Sequence, residues 1–71
     1  MAVEEACTVR EGDWIRIDFG GTEVECEVSD TFILPSMAVI GVVLADQYRR
    51  LHMLPDDPVM VTVYSEGYDD G

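Results

Sequence analysis

Two alternating runs joined by a glycine pair constrain this chain more than any other feature. Trp14-Ile15-Arg16-Ile17-Asp18-Phe19 places Ile15, Ile17 and Phe19 on one face of an extended segment. Thr22-Glu23-Val24-Glu25-Cys26-Glu27-Val28 does the same with Val24, Cys26 and Val28. A period of two marks a half-buried strand, and Gly20-Gly21 supplies two residues that take positive φ without strain, as a tight hairpin requires. A two-residue loop then fixes the register. Phe19 faces Thr22, Ile17 faces Val24 and Ile15 faces Cys26, so inward residues meet inward residues. Outside, Trp14 meets Glu27, Arg16 meets Glu25 and Asp18 meets Glu23; the second pair attracts and the third repels.

The flanking segments are read around this hairpin. Met1 to Ala6 reads as a frayed start, Cys7 to Arg10 as the opening of a strand, and Glu11-Gly12-Asp13 as a turn. Ser29 to Ser36 reads as a connector containing Pro35, pinned to the core by Phe32, Ile33 and Leu34. Ala38 to Leu44 is a short apolar run rich in β-branched residues, which favours a central strand over a helix. From Asp46 to His52 the spacing of Leu44, Tyr48 and Leu51, with Asp46 as a cap and Arg50 four residues on, predicts one or two helical turns. Pro55 and Pro58 bracket an acidic turn, and Val59 to Tyr64 reads as a closing strand. The expected fold is therefore mainly β: a small barrel or sandwich of four to five strands with one short helix near residues 46–52. It forms a single domain over 1–71, with an ordered core of about 7–65 and an acidic tail at 66–71.

Charge narrows the function. Fifteen Asp and Glu stand against four basic residues, all arginine, for a net charge of -11 and a pI near 4.1. Nucleic-acid phosphates need clustered Lys and Arg, so a nucleic-acid partner is not expected. An anionic membrane is disfavoured for the same reason. Met1 to Cys7 lacks a basic stretch followed by an apolar one, and the longest near-apolar run, Met37 to Ala45, is too short to span a bilayer. The expected location is cytoplasmic, where Cys7 and Cys26 stay reduced.

In composition the chain resembles acidic proteins of haloarchaea and their viruses, which implies a surface adapted to concentrated salt. A second resemblance rests on Glu11-Gly12-Asp13-Trp14-Ile15-Arg16-Ile17 and Pro55-Asp56-Asp57-Pro58-Val59-Met60-Val61, each an acidic turn launching a strand. With the strand, short helix, acidic turn and strand read in the second half, this is similar to half of a cradle-loop barrel, the group of swapped-hairpin and double-psi barrels. The DNA-binding members' basic residues are missing here. The resemblance implies a dimer or a partner-binding barrel.

Catalytic and metal chemistry find little footing. Cys7, Cys26 and His52 are spaced unlike any zinc pattern. The neighbouring carboxylates Glu4-Glu5, Asp56-Asp57 and Asp69-Asp70 lack a calcium-loop arrangement. No Gly-x-Ser-x-Gly phrase is present. No cofactor and no enzymatic activity are expected. Trp14, Met60 and Tyr64 fall on strand faces opposite the aliphatic core, as interface residues do. Arg49 and Arg50 are the one basic pair on an acidic molecule. The expectation is a non-enzymatic protein-interaction module, self-associating, with the aromatics and Met60 as anchors and the arginines as charged pins. The alternatives are a small component of a virion or large assembly, an acidic nucleic-acid mimic that binds a basic protein, and a small-ligand barrel with a pocket near His52 and Tyr48.

Overall fold

The structure, a computed structural model, describes residues 1–65; the acidic tail expected at 66–71 lies outside the described residues. Six strands form one antiparallel sheet: β1 Ala2–Glu5, β2 Trp14–Phe19, β3 Thr22–Leu34, β4 Met37–Leu44, β5 Gln47–Met53 and β6 Pro58–Val63. Their order across the sheet is β1-β6-β2-β3-β4-β5. The sheet does not close into a barrel and has no second sheet facing it, so the barrel or sandwich of four to five strands gives way to one open, six-stranded sheet.

The Gly20-Gly21 hairpin stands as the alternation dictates. Trp14 pairs with Glu27, Ile15 with Cys26, Arg16 with Glu25, Ile17 with Val24, Asp18 with Glu23 and Phe19 with Thr22. Gly20 and Gly21 both have positive φ, 61° and 88°. Asp18 Oδ1 closes the turn by accepting from the Gly21 N–H at 2.9 Å.

Three expectations are corrected. First, Asp46 to His52 is not helical. Ala45 and Asp46 take left-handed φ of 53° and 64°, a two-residue reversal that lays Gln47–Met53 against β4. Asp tolerates that conformation locally, and Leu51 and Met53 then pack on the core at strand spacing while Tyr48, Arg50 and His52 face out. With the helix gone, the element order behind the cradle-loop resemblance is absent. Second, Ser29–Leu34 is not a connector but the far half of a 13-residue strand. The chain turns at Pro35-Ser36 alone, with Leu34 paired to Met37. Phe32, Ile33 and Leu34 are exposed rather than pinned to the core. Third, the start of the chain is a paired strand: Ala2 to Glu5 lie against Val61 to Pro58.

The core lies on one face of the sheet. Ile15, Cys26, Val28, Ala38, Ile40, Val42, Val59 and Val61 are buried there with Ala6 and Val9. Ala6 opens a short 3-10 turn, Ala6–Thr8, that passes beside β4 and helps to cover this face. The sheet is strongly curled. The β3–β4 register shifts between Val28 and Asp30, and the β2–β6 register shifts at Trp14/Ile15. Such bulges bend and twist a strand. The bend brings β5 back toward β2, three places away in the sheet, so that the Arg49 guanidinium sits 5.1 Å from the Phe19 ring centre.

Asp13 is the buried polar residue among the described residues. Its Oδ2 accepts from Arg10 N–H (2.9 Å) and its Oδ1 from Ser65 N–H (2.7 Å). The turn read at Glu11-Gly12-Asp13 is therefore also the clasp that ties the end of β6 to the start of β2. Cys7 and Cys26 are unbridged. Burial, then the charge of neighbouring Glu25, pushes the Cys26 thiol up, so it packs as a small apolar group.

Candidate interaction surface

An open antiparallel sheet has two edges, and here they are β1 and β5. In a hairpin with a two-residue loop, the residues flanking the loop form the first hydrogen-bonded pair, and such pairs alternate along the ladder. Leu44–Gln47 is that first pair, which makes Val42–Arg49, Ile40–Leu51 and Ala38–Met53 the others. The backbone N–H and C=O groups of Tyr48, Arg50 and His52 consequently point away from the sheet. β5 is seven residues long, contains no Pro, and carries two charged side chains, Arg49 and Arg50.

The outer face beside this edge is organised by Gly41. A side chain at Gly41 would overlap the Asp30 carboxylate and the Tyr48 ring. Tyr48 lies diagonally across the bare backbone there, an aromatic laid over a strand glycine. Its hydroxyl donates to Asp30 Oδ1 at 2.8 Å. Arg50 caps the arrangement, with its guanidinium 5.7 Å from the Tyr48 ring centre and its Nε donating to the Tyr48 hydroxyl at 3.5 Å. That hydrogen bond is the first cause holding the Arg50 pKa above its ordinary value. Asp30, Phe32, Val39, Tyr48, Arg50 and His52 line an open depression of about 470 Å³. Phe32 is 62% exposed there, and Leu34, Met37 and Leu54 (59%) also stand in solvent.

The five residues singled out in the sequence do not share one surface. Trp14 and Met60 lie on the outer face of the adjacent strands β2 and β6. Tyr64 follows β6 and donates its hydroxyl to the Glu4 carboxylate. That hydrogen bond, then desolvation, raises the phenol's pKa. Arg49 and Arg50 are on β5, at the opposite side of the sheet. As successive strand residues they point to opposite faces: Arg49 donates to Gln47 Oε1 and covers Phe19, while Arg50 stacks on Tyr48. Strand geometry also separates Asp46 from Arg50 by about 13 Å along the backbone, so they are not the helical ion pair expected. His52, read as a cap at a helix end, is exposed on the outer face of β5.

The sequence reading missed the open edge itself, along with Asp30 and Phe32. Both fall in the segment that reads as a connector, where no strand partner is expected. The signal that could have found them is the two-residue spacing around Pro35-Ser36 between extended segments. Among the described residues, no three His, Cys, Asp or Glu side chains are grouped to hold a metal ion, and no helix is long and apolar enough to cross a membrane. No protein-family model, curated protein or solved structure matches this chain.

Proposed function

We propose that this protein is a non-enzymatic protein-interaction module that self-associates, with the edge of β5 and the apolar skin beside it as its docking surface. The observation that carries this reading is that β5 has no strand on its outer side among the described residues. Tyr48, Arg50 and His52 offer an uninterrupted row of backbone donors and acceptors, and exposed Leu54 follows on the same segment. An added strand satisfies such a row through main-chain hydrogen bonds and buries the flanking side chains at the same time. A chain of 71 residues also has a small core and gains stability from a partner. The acidic surface suits this role in concentrated salt, where repulsion between like-charged copies is screened.

The test is light scattering over a wide protein concentration range in molar salt, with amide hydrogen exchange measured alongside. The expected result is a mass that rises with concentration, together with slowed exchange at Tyr48, Arg50 and His52. Arg50→Pro removes an outward N–H and leaves the β4 ladder intact, so it should hold the protein as a folded monomer. A monomeric mass at every concentration overturns the self-association reading.

A further inference from the structure

We infer that the segment received by the β5 edge is strand β1 of a second copy, so that copies add head to tail. This deepens the proposed function and rests on it. The two edges of the sheet differ in charge. β5 carries Arg49 and Arg50, half of the four basic residues in a chain of net charge -11. β1, Ala-Val-Glu-Glu, carries Glu4 and Glu5. A positive edge repels another positive edge, and pairing two β5 strands about a two-fold axis would crowd four arginines at the join. A negative edge is what β5 attracts.

Backbone phase agrees with charge. The Ala6 N–H donates to the Asp57 carbonyl at 2.9 Å, in line with the β1–β6 register. That makes Ala6, Glu4 and Ala2 the residues bonded to β6, and it turns the N–H groups of Val3 and Glu5 outward. The Glu5 carbonyl already accepts from Thr8 Oγ1 at 2.7 Å, which makes Val3 the centre of the free edge. Val3 is 60% exposed and pairs across to Met60 on the outer face. On both edges, therefore, the outward-pointing backbone belongs to outer-face residues. When the edges pair antiparallel, outer face continues into outer face. One such register sets Glu4 opposite Arg49 on the core face and Glu5 opposite Tyr48 on the outer face, one diagonal step from Arg50.

The join also brings together the two groups of residues that a single copy keeps apart. Val3, Met60 and the Tyr64–Glu4 pair lie at the β1 margin, with Trp14 two strands further in. Arg49, Arg50 and Tyr48 lie at the β5 margin of the next copy. Each copy uses one edge to give and the other to receive, so the contact is heterologous. Successive contacts of this kind make a closed ring if the rotation closes and an open fibre if it does not.

Charge exchange tests the pairing. Two variants are made, Glu4→Arg/Glu5→Arg and Arg49→Glu/Arg50→Glu, and folding is checked by circular dichroism. Each alone juxtaposes like charges at every join, and each is expected to lose association at least tenfold. An equimolar mixture restores Glu opposite Arg at every join, and its mass should return to that of the native protein. Because Glu4 also holds the Tyr64 hydroxyl, Val3→Pro is a second variant that leaves the β6 ladder untouched; it too should give a folded monomer. Loss of association in the β5 variant alone, with the β1 variants still assembling, would overturn β1 as the partner while keeping β5 as the docking edge. Assembly unchanged in both charge variants would place the contact elsewhere. A native protein that is monomeric throughout would instead fail the reading on which this inference rests.

Discussion

At the scale of single residues, two side chains carry more of the structure than their position suggests. Asp13 is fully buried, and its two oxygens take the N–H groups of Arg10 and Ser65. Removing the carboxylate leaves those donors without this acceptor in a place water reaches poorly, which costs about 1–3 kcal/mol for each such group. Asp13→Ala should therefore lower stability by at least about 2 kcal/mol. Chemical denaturation measures this, and Asp13→Asn, which retains one amide oxygen, should lose less. Equal stability of Asp13→Ala and the native chain would mean that the clasp contributes nothing. Gly41 and Tyr48 make the second case. The glycine leaves a gap in β4, and the tyrosine fills it from β5 while binding Asp30. In the sequence, Gly41 looks only like a flaw in an apolar run. The residue that explains it lies seven positions on and pairs diagonally, a relation visible only once the register is known.

At the scale of elements, the β2–β3 hairpin was legible to the residue because three independent signals agreed: alternation on both arms, a glycine pair between them, and inward residues matched across the loop. Where signals conflicted, the reading failed. The segment of β5 reads as helical because Leu44, Tyr48 and Leu51 recur at helical spacing. The residue that decides the matter is Asp46, whose left-handed φ turns the chain back before any helix can start. The far half of β3 reads as a connector because Pro35 stands within it, with Phe32 to Leu34 expected to pin it to the core. They remain exposed because the sheet extends beyond its core there. The open β5 edge is illegible in the sequence because an edge is a property of strand order, and strand order is not fixed by any local pattern. The turn that was legible gives a sharp expectation. Gly20 and Gly21 have positive φ, and no atom lies close enough to obstruct a side chain at either. Any cost of replacing them is thus conformational rather than steric crowding. Gly20→Val with Gly21→Val should destabilise by about 2–4 kcal/mol, at roughly 1–2 kcal/mol per β-branched residue forced to left-handed φ. A thermal melt reads this directly, and an unchanged midpoint would refute the turn.

At the scale of the whole molecule, the dominant quantity is net charge, and the sheet shows where it is concentrated. Glu23, Glu25 and Glu27 alternate along β3 and project from one face about 7 Å apart. Asp18 stands directly across from Glu23. Two unit charges 7 Å apart in water repel by about 0.6 kcal/mol. Glu25 is partly compensated, facing Arg16 and accepting from the Thr62 hydroxyl. Glu23 and Glu27 keep their repulsion, which over the neighbouring carboxylates sums to about 1–2 kcal/mol in dilute buffer. Screening acts on that sum strongly. The Debye length falls from about 10 Å at 0.1 M to about 3 Å at 1 M, so charges 7 Å apart go from half screened to almost wholly screened. The step from 0.1 to 1 M thus recovers about 0.5 kcal/mol, which raises the melting midpoint of a domain this size by about 2–4 °C. The melting midpoint should therefore climb by a few degrees between 0.1 and 1 M sodium chloride. Glu23→Gln with Glu27→Gln should reproduce part of that climb without added salt and flatten the remaining dependence. If the native midpoint is the same at both concentrations, the carboxylate surface imposes no cost in dilute solution, and the salt-adapted reading of this chain fails along with the explanation of why it tolerates so many like charges on one strand.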